Sequence, residues 1–236
     1  MESQDVFCRQ MFDNIASEYD RLNHLLSFGI DKYWRKKTIK KHISATAHQR
    51  VLDIACGTAD MSVTIARQGV QHIEGIDISE KMLLIGQKKI RKYGLQDKIH
   101  LQVGSTTNIP FENQHFDAVV VAFGVRNFAD RATAFKEIYR VLKPHKELIV
   151  LEFSQPKIKI FKHIYKFYFT RILPFVGGKI SGDQSAYTYL PDSVYRFPQG
   201  QAFLQELANA GFENLHQKKM SFGIVSAYYG IKNEKN

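Results

Sequence analysis

The sequence predicts an α/β domain: a mostly parallel, seven-stranded sheet with helices on both faces and a C-terminal antiparallel hairpin. Three observations carry this. Apolar, strand-like runs alternate with helix-like segments from residue 49 to residue 153, the rhythm of a parallel sheet with crossover helices. One glycine, Gly57, stands directly between the first such run and the first such helix, where an α/β sheet holds its ligands. Near the end, strand-like runs at 213–220 and 224–231 are separated only by a short turn, close enough to pair as a hairpin.

In order, 49–54 (QRVLDI) reads as a strand, 60–68 as a helix, 72–76 as a strand and 80–93 as a helix. Strands follow at 100–103 and 116–122, then a helix at 131–142 and a strand at 147–153. The helix at 131–142 places Ala134, Ile138, Val141 and Leu142 at i, i+4, i+7 and i+8, one apolar stripe for the sheet. A last helix at 201–210 is stopped by Gly211. The first 45 residues and 154–200 break this rhythm. They are additions to a single domain spanning 1–236: an N-terminal lid over 1–45 and a substrate or membrane insertion over 154–200.

At 236 residues and 44% hydrophobic, the chain is long enough to bury one sizeable core. Its 33 Lys and Arg against 23 acidic residues leave a net charge of +10, which favours an anionic partner: nucleic acid, an acidic lipid surface or a phosphate-bearing ligand. Cys8 and Cys56 lack disulfide-framework or zinc spacing, and the nine histidines are scattered, so no metal site is expected and a reducing cytoplasm fits. The N-terminus has no apolar signal region, and no run approaches the roughly 20 apolar residues that span a bilayer.

The strongest local signal is VLDIACGTAD at 51–60. Gly57 lets the backbone approach a ligand there, and the following helix offers N–H groups and a positive dipole end. Asp53, Gly57 and Thr58 therefore read as a ligand turn. The loop lacks the GxGxxG of dinucleotide sites, which weakens a nicotinamide reading. Asp77 stands 20 residues beyond Gly57 at the end of the next strand, suited to accept from both hydroxyls of a ribose, while Ser79 makes the better helix cap. After the third strand, GSTTNIPF at 104–111 brings Ser105 and Thr106 to where backbone groups meet an adenine edge. Three strand ends in register make a nucleoside site. A fourth strand, AVVVAFGVRNF at 118–128, ends in Arg126 and Asn127, delivered to the same edge; the competing reading pairs Arg126 with Asp130 or a helix end.

MFDNIASEYDRLNHLLSFGIDKYWR (11–35), VLDIACGTAD (51–60), GIDISEKML (75–83), IPFENQHFDAVVVAFGVRNFAD (109–130), EIYRVLKP (137–144), LEFSQP (151–156) and SAYTYLPDSVYRFP (185–198) closely resemble the ubiquinone/menaquinone biosynthesis C-methyltransferases. The resemblance covers nearly the whole chain and is most specific at FGVRN and SAYTYL. It implies a class I, Rossmann-like methyltransferase fold, S-adenosylmethionine as methyl donor, and C-methylation of the quinol ring of a polyprenylated precursor. NHLLSFGIDKYWR is more like the menaquinone branch, with the ubiquinone step as the alternative.

Under that resemblance, ring methylation needs electron density on the carbon, which ionising a neighbouring quinol hydroxyl supplies. A phenol titrates near about 10, so a fixed guanidinium at Arg126 stabilises the phenolate, with an ordered water taking the proton. Asn127 orients the ring. Water exclusion and an aligned approach of roughly 3 to 3.5 Å call for a lid, for which Phe12, Tyr19, Tyr33, Tyr187 and Tyr189 are candidates. The chain departs from the family's pattern at Ala59, where a glycine is usual and a methyl is tolerated provided φ stays negative, and at Ser105, where an adenine-binding side chain is usual.

The segment KIKIFKHIYKFYFTRILPFVGGK at 157–179 sets Lys159, Lys162, His163 and Lys166 on one helical face and Phe161, Ile164, Tyr165, Tyr168 and Ile172 on the other. An isoprenoid substrate resides in a bilayer, so this segment is expected to contact an anionic membrane surface, with 174–178 at the tail entrance. The enzyme is then cytoplasmic and peripheral to the inner face of the membrane. No nucleic-acid partner is expected, and a homodimer is compatible with the sequence. An RNA methyltransferase, which would show salt-dependent RNA binding, and a non-catalytic nucleoside-binding scaffold, which would not need Arg126, are the alternatives from other classes.

Overall fold

Parallel strands β1 (Arg50–Ile54), β2 (His72–Asp77), β3 (Ile99–Val103), β4 (Phe116–Ala122) and β5 (Leu142–Phe153) are extended by an antiparallel pair, β6 (Phe212–Met220) and β7 (Val225–Lys232). The strand order is β3-β2-β1-β4-β5-β7-β6. The computed structural model describes residues 2–43, 49–156, 158–172 and 184–234. Because β1 lies between β2 and β4, the order reverses at the β1/β4 boundary, opening a crevice beyond the carboxyl ends of these strands.

Alternation along the buried strands feeds two cores. Val51, Val120, Ile149, Leu151 and Tyr229 pack on one face with Trp34, Val63 and Ile65. Leu52, Ile54, Val121, Val150 and Tyr228 pack on the other with Phe135, Ile138, Phe203 and Leu207, each large side chain contributing roughly 1.5 to 3 kcal/mol. The helices that supply these residues are α2 (Ile30–Ile39), α3 (Asp60–Ala66), α5 (Arg131–Val141) and α8 (Gln201–Asn209). Helix α4 (Glu80–Lys92) starts where the Ser79 hydroxyl accepts from the Met82 N–H at 3.1 Å, and α5 starts where Asp130 accepts from Thr133 N at 3.0 Å, both N-caps. Strand β5 begins earlier than expected, at Leu142, and carries His145 at φ 59; five residues there stand against two of β4, an irregularity that absorbs the 144–146 turn.

The two stretches outside the βα rhythm come together. Helix α1 (Glu2–Leu26), α6 (Lys159–Phe167) with a π-helical turn at Tyr168–Ile172, and α7 (Gln184–Arg196) share a third cluster of Met11, Ile15, Leu22, Tyr165, Phe169 and Val194. In the basic segment, Tyr165 and Phe169 turn inward, whereas Ile172, expected on their face, is 38% exposed. The wider π turn at 168–172 changes the register of that face. Residues 174–178 lie outside the described residues.

Candidate active site

The β1–α3 turn is built from left-handed backbone: Ala55 at φ 53, Gly57 at φ 53 and Ala59 at φ 66. Ala59 thus departs from the negative φ expected for it. The conformation costs about 1–2 kcal/mol, and burial of its methyl, which is fully enclosed, returns about 0.8 kcal/mol. The turn presents the Gly57 N–H to Asp77 Oδ2 at 2.8 Å, while Asp77 Oδ1 accepts from Ser79 N at 2.8 Å. Burial raises the Asp77 carboxyl above its usual range and the Ser79 and Gly57 N–H groups pull it back. Each carboxylate oxygen keeps a lone pair for a ribose hydroxyl.

A cavity at this edge is lined by Gly57, Asp77, Ser105, Thr106 and Asn127, with Met82 on its apolar side. Ser105 spends its hydroxyl on Thr107, accepting from the Thr107 N–H at 3.3 Å and meeting Thr107 Oγ1 at 3.0 Å, which leaves backbone groups for a base. A carboxylate with open lone pairs, a glycine turn and apolar walls have the chemistry that the nucleoside half of S-adenosylmethionine calls for. Asp53 and Thr58 do not line this cavity. Asp53 is buried beneath the turn, accepts from the Ser62 hydroxyl at 2.6 Å, and is pushed up to about 7 by burial against that bond. Thr58 is buried and donates to Asp20. Both hold the turn from behind.

Helix α1 closes over the turn through ionic fasteners. Ser79 donates to Asp13 at 2.6 Å, and Lys89 pairs with Asp20 at 2.7 Å and with Asp60. Arg35 bridges Asp31 and Asp60, and His24 meets Asp31 at 2.9 Å; this is the His-and-carboxylate cluster among the described residues, with Arg35 as its cation. Burial alone would raise Asp31 and Asp60, but His24 and Arg35 at the first, and Arg35 and Lys89 at the second, hold both carboxyls below their usual range. Of the expected lid residues, Tyr19 lines the cavity. Tyr33 does not: it is 53% exposed and lies against Lys37. Tyr187 falls within α7, but its side chain lies outside the described residues.

Beyond β4, Phe123 at φ 59 and Gly124 lead into a single 3-10 turn, Val125–Asn127. A Cβ on Gly124 would stand 2.6 Å from that of Ala55, so the two turns interlock only with glycine here. Gly124→Ala is expected to cost about 1–3 kcal/mol, read as a lowered melting temperature with weakened donor binding. The Arg126 side chain is almost fully buried: Nη1 pairs with Glu152 Oε1 at 2.8 Å and also donates to the Phe123 carbonyl, and Nε donates to Ser193 Oγ at 3.2 Å. The partner is Glu152, not Asp130, which caps α5 instead. Glu152 is fully buried; burial raises its carboxyl and Arg126 opposes the rise. Among the described residues Arg126 Nη2 makes no hydrogen bond.

That guanidinium lines a second, larger and mostly apolar cavity of about 310 Å³, bounded by Met11, Trp34, Phe153, Phe169 and Tyr189. Phe12, Tyr19 and Phe123 line both cavities and form the wall between them. Arg126 and Asn127, neighbours in sequence, are divided: Arg126 faces the apolar cavity and Asn127 the nucleoside one. Asn127 Oδ1 accepts from the Tyr189 hydroxyl at 3.1 Å, whose pKa burial pushes up to about 12, so the tyrosine acts as a neutral donor. Glu152, Asp13, Asp20 and Phe123 were not singled out from sequence; the acidic residue in the otherwise apolar run LIVLEF was the available sign of Glu152.

Fold and site together define a class I S-adenosylmethionine-dependent methyltransferase. The same architecture occurs in an S-adenosylmethionine-dependent methyltransferase of Thermotoga maritima, with a TM-score of 0.65 over 95% of this chain and 99% of that one at 18% identity, a likeness of fold alone. The profile of the ubiE/COQ5 methyltransferase family matches residues 1–232, and the chain belongs to that family. It is 43% identical to the ubiquinone/menaquinone biosynthesis C-methyltransferase UbiE of Geotalea daltonii, over 95% of each chain. It is 37% identical to the demethylmenaquinone methyltransferase of Lactiplantibacillus plantarum, again over 95% of each.

Proposed function

We propose that this enzyme C-methylates the quinol ring of a polyprenylated precursor, converting demethylmenaquinol to menaquinol; the ring-methylation step of ubiquinone biosynthesis is the second reading, supported by the double name of the Geotalea relative. The observation that carries it is the apolar cavity that shares Phe12, Tyr19 and Phe123 with the nucleoside cavity and is lined by Arg126. Its size is in the range of about 300 to 1,000 Å³ that organic ligands occupy. S-adenosylmethionine supplies the electrophilic methyl group. The chain's own residues do the rest.

Arg126 is the group that meets the ring oxygen. Because Glu152 balances its charge, it offers the ring oxygen a directed, charge-assisted hydrogen bond from Nη2 rather than an unscreened positive field. That bond favours the phenolate, and water at the guanidinium takes the hydroxyl proton. Asn127, through Tyr189, holds the junction of the two cavities, a positioning role in place of direct ring contact. The α1 fasteners keep water from the wall.

The cavity is flanked by unusually exposed apolar side chains. Phe28, Phe222, Ile160 and Phe167 are between 61% and 80% exposed, Phe28 lines the cavity, and Phe161, which also lines it, stacks on Phe222 at 4.2 Å between centroids. No helix among the described residues is long and apolar enough to cross a membrane. With a net charge of +10, we place this face on an anionic bilayer, from which the ring is drawn.

Transfer of labelled methyl from S-adenosylmethionine to reduced demethylmenaquinone and to the ubiquinone-pathway benzoquinol, each presented in anionic and in zwitterionic vesicles, tests the reading. The naphthoquinol is expected to be labelled, faster in anionic vesicles. Labelling of the benzoquinol alone would reverse the branch assignment, and labelling of neither by protein that binds the donor would remove the quinol reading.

A further inference from the structure

Among the described residues, three buried polar side-chain atoms have no hydrogen-bond partner: the Thr38 hydroxyl, the Gln49 amide oxygen and the Tyr165 hydroxyl. Of these residues, Tyr165 alone lines either cavity. It is 5% exposed, stacked on Phe169 at 4.1 Å, and fixed in the cluster of α1, α6 and α7 residues. A hydroxyl enclosed in this way without a partner destabilises the fold, unless a ligand supplies the missing acceptor. Burial raises its pKa well above the ordinary tyrosine value, although the Arg126 charge opposes the rise, so it serves as a neutral donor.

Several other hydroxyls around the apolar cavity bond within the protein. Tyr168 donates to the Leu26 carbonyl at 2.6 Å, Tyr189 to Asn127, Ser27 to Asp31 at 2.7 Å, and Ser221 accepts from the Trp34 indole at 2.8 Å. With Arg126 Nη2, the Tyr165 hydroxyl offers an occupant two donors in walls that are mostly apolar. A ring bearing two oxygens matches two donors.

We propose that Tyr165 is a substrate-binding residue whose hydroxyl donates to the second oxygen of the quinol ring, the first being held by Arg126. The assignment rests on the quinol reading and deepens it, because it makes the cavity selective for dioxygenated over mono-oxygenated rings. A ring without the second oxygen leaves the Tyr165 hydroxyl buried and unpaired.

The test compares wild type and Tyr165→Phe on a short-chain prenyl 1,4-naphthalenediol, kept reduced, and on the matching prenyl naphthol that lacks only the second hydroxyl. Wild type is expected to lose on the order of tenfold in kcat/KM from diol to naphthol, mainly through KM. Tyr165→Phe is expected to lose a similar factor on the diol and to treat the two rings alike, so that the losses are not additive. Its donor affinity is unchanged, and without substrate it melts no lower than wild type, since the unpaired hydroxyl is gone. A Tyr165→Phe enzyme that still discriminates between the rings, or that keeps wild-type kcat/KM on the diol, overturns the assignment. Wild type inactive on both rings while binding S-adenosylmethionine would instead overturn the quinol reading, and this assignment with it.

Discussion

Arg126→Ala is expected to lose about 10²- to 10³-fold in turnover while its affinity for S-adenosylmethionine, measured by calorimetry, stays at the wild-type value. The separation follows from the guanidinium lining the apolar cavity and not the nucleoside one. The variant should also be less stable. Glu152 is fully buried, and removing its partner leaves an uncompensated carboxylate at a cost of about 3–5 kcal/mol. Burial already raises Glu152 above its ordinary value, with Arg126 opposing the rise; without Arg126 the folded value climbs further above the unfolded one. The folded variant then holds a proton that the unfolded chain releases, so its stability falls as pH rises and is recovered as pH drops toward the ordinary glutamate range. The gap in melting temperature from wild type should therefore narrow between about pH 8 and about pH 5. Adding Glu152→Gln should restore stability at neutral pH but not turnover. Recovery of turnover in that double variant would reduce Arg126 to a loop-fixing residue.

Asp77→Ala should produce the other large loss, in donor affinity. Two hydrogen bonds from ribose hydroxyls to a carboxylate are each worth about 1.5–3 kcal/mol, and the alanine also strands the Gly57 and Ser79 N–H groups that Asp77 now accepts. A reduction on the order of 10²-fold or more is expected by equilibrium binding of S-adenosylhomocysteine. Asp77→Asn keeps one acceptor oxygen and should fall between the two. The decisive control is the analogue lacking a ribose hydroxyl: wild type should bind it poorly, whereas Asp77→Ala should scarcely distinguish it from the parent. Equal affinity of wild type for both would detach Asp77 from the ribose and leave it as the brace of the Gly57 turn.

The βα rhythm was legible because strands buried on both faces read as apolar runs and their turns carry glycine, serine or aspartate; β1, β2 and β4 fall within a residue of expectation. Gly57, Asp77 and Ser105 stand at strand ends and therefore meet. What could not be read depends on partners distant in sequence. Glu152 finds Arg126 across neighbouring strands, Asp13 and Asp20 gain meaning only once α1 lies on α4 and the Gly57 turn, and one 3-10 turn sends Arg126 and Asn127 to different cavities. Tyr33 and Tyr19 look alike as lid aromatics, yet one faces solvent and the other the cavity wall. The positive φ of Ala59 belongs to the folded backbone and leaves no mark in the sequence.

The three rings that separate the cavities, Phe12, Tyr19 and Phe123, belong to both binding sites at once. Whatever ordering of that partition accompanies occupancy on one side is already in place for the other. Thermodynamic linkage then makes the influence mutual: the factor by which the nucleoside alters affinity for the ring is the factor by which the ring alters affinity for the nucleoside. A spent cofactor on one side and a methylated ring on the other are subject to the same rule, so the affinity of each product is set with the other in place.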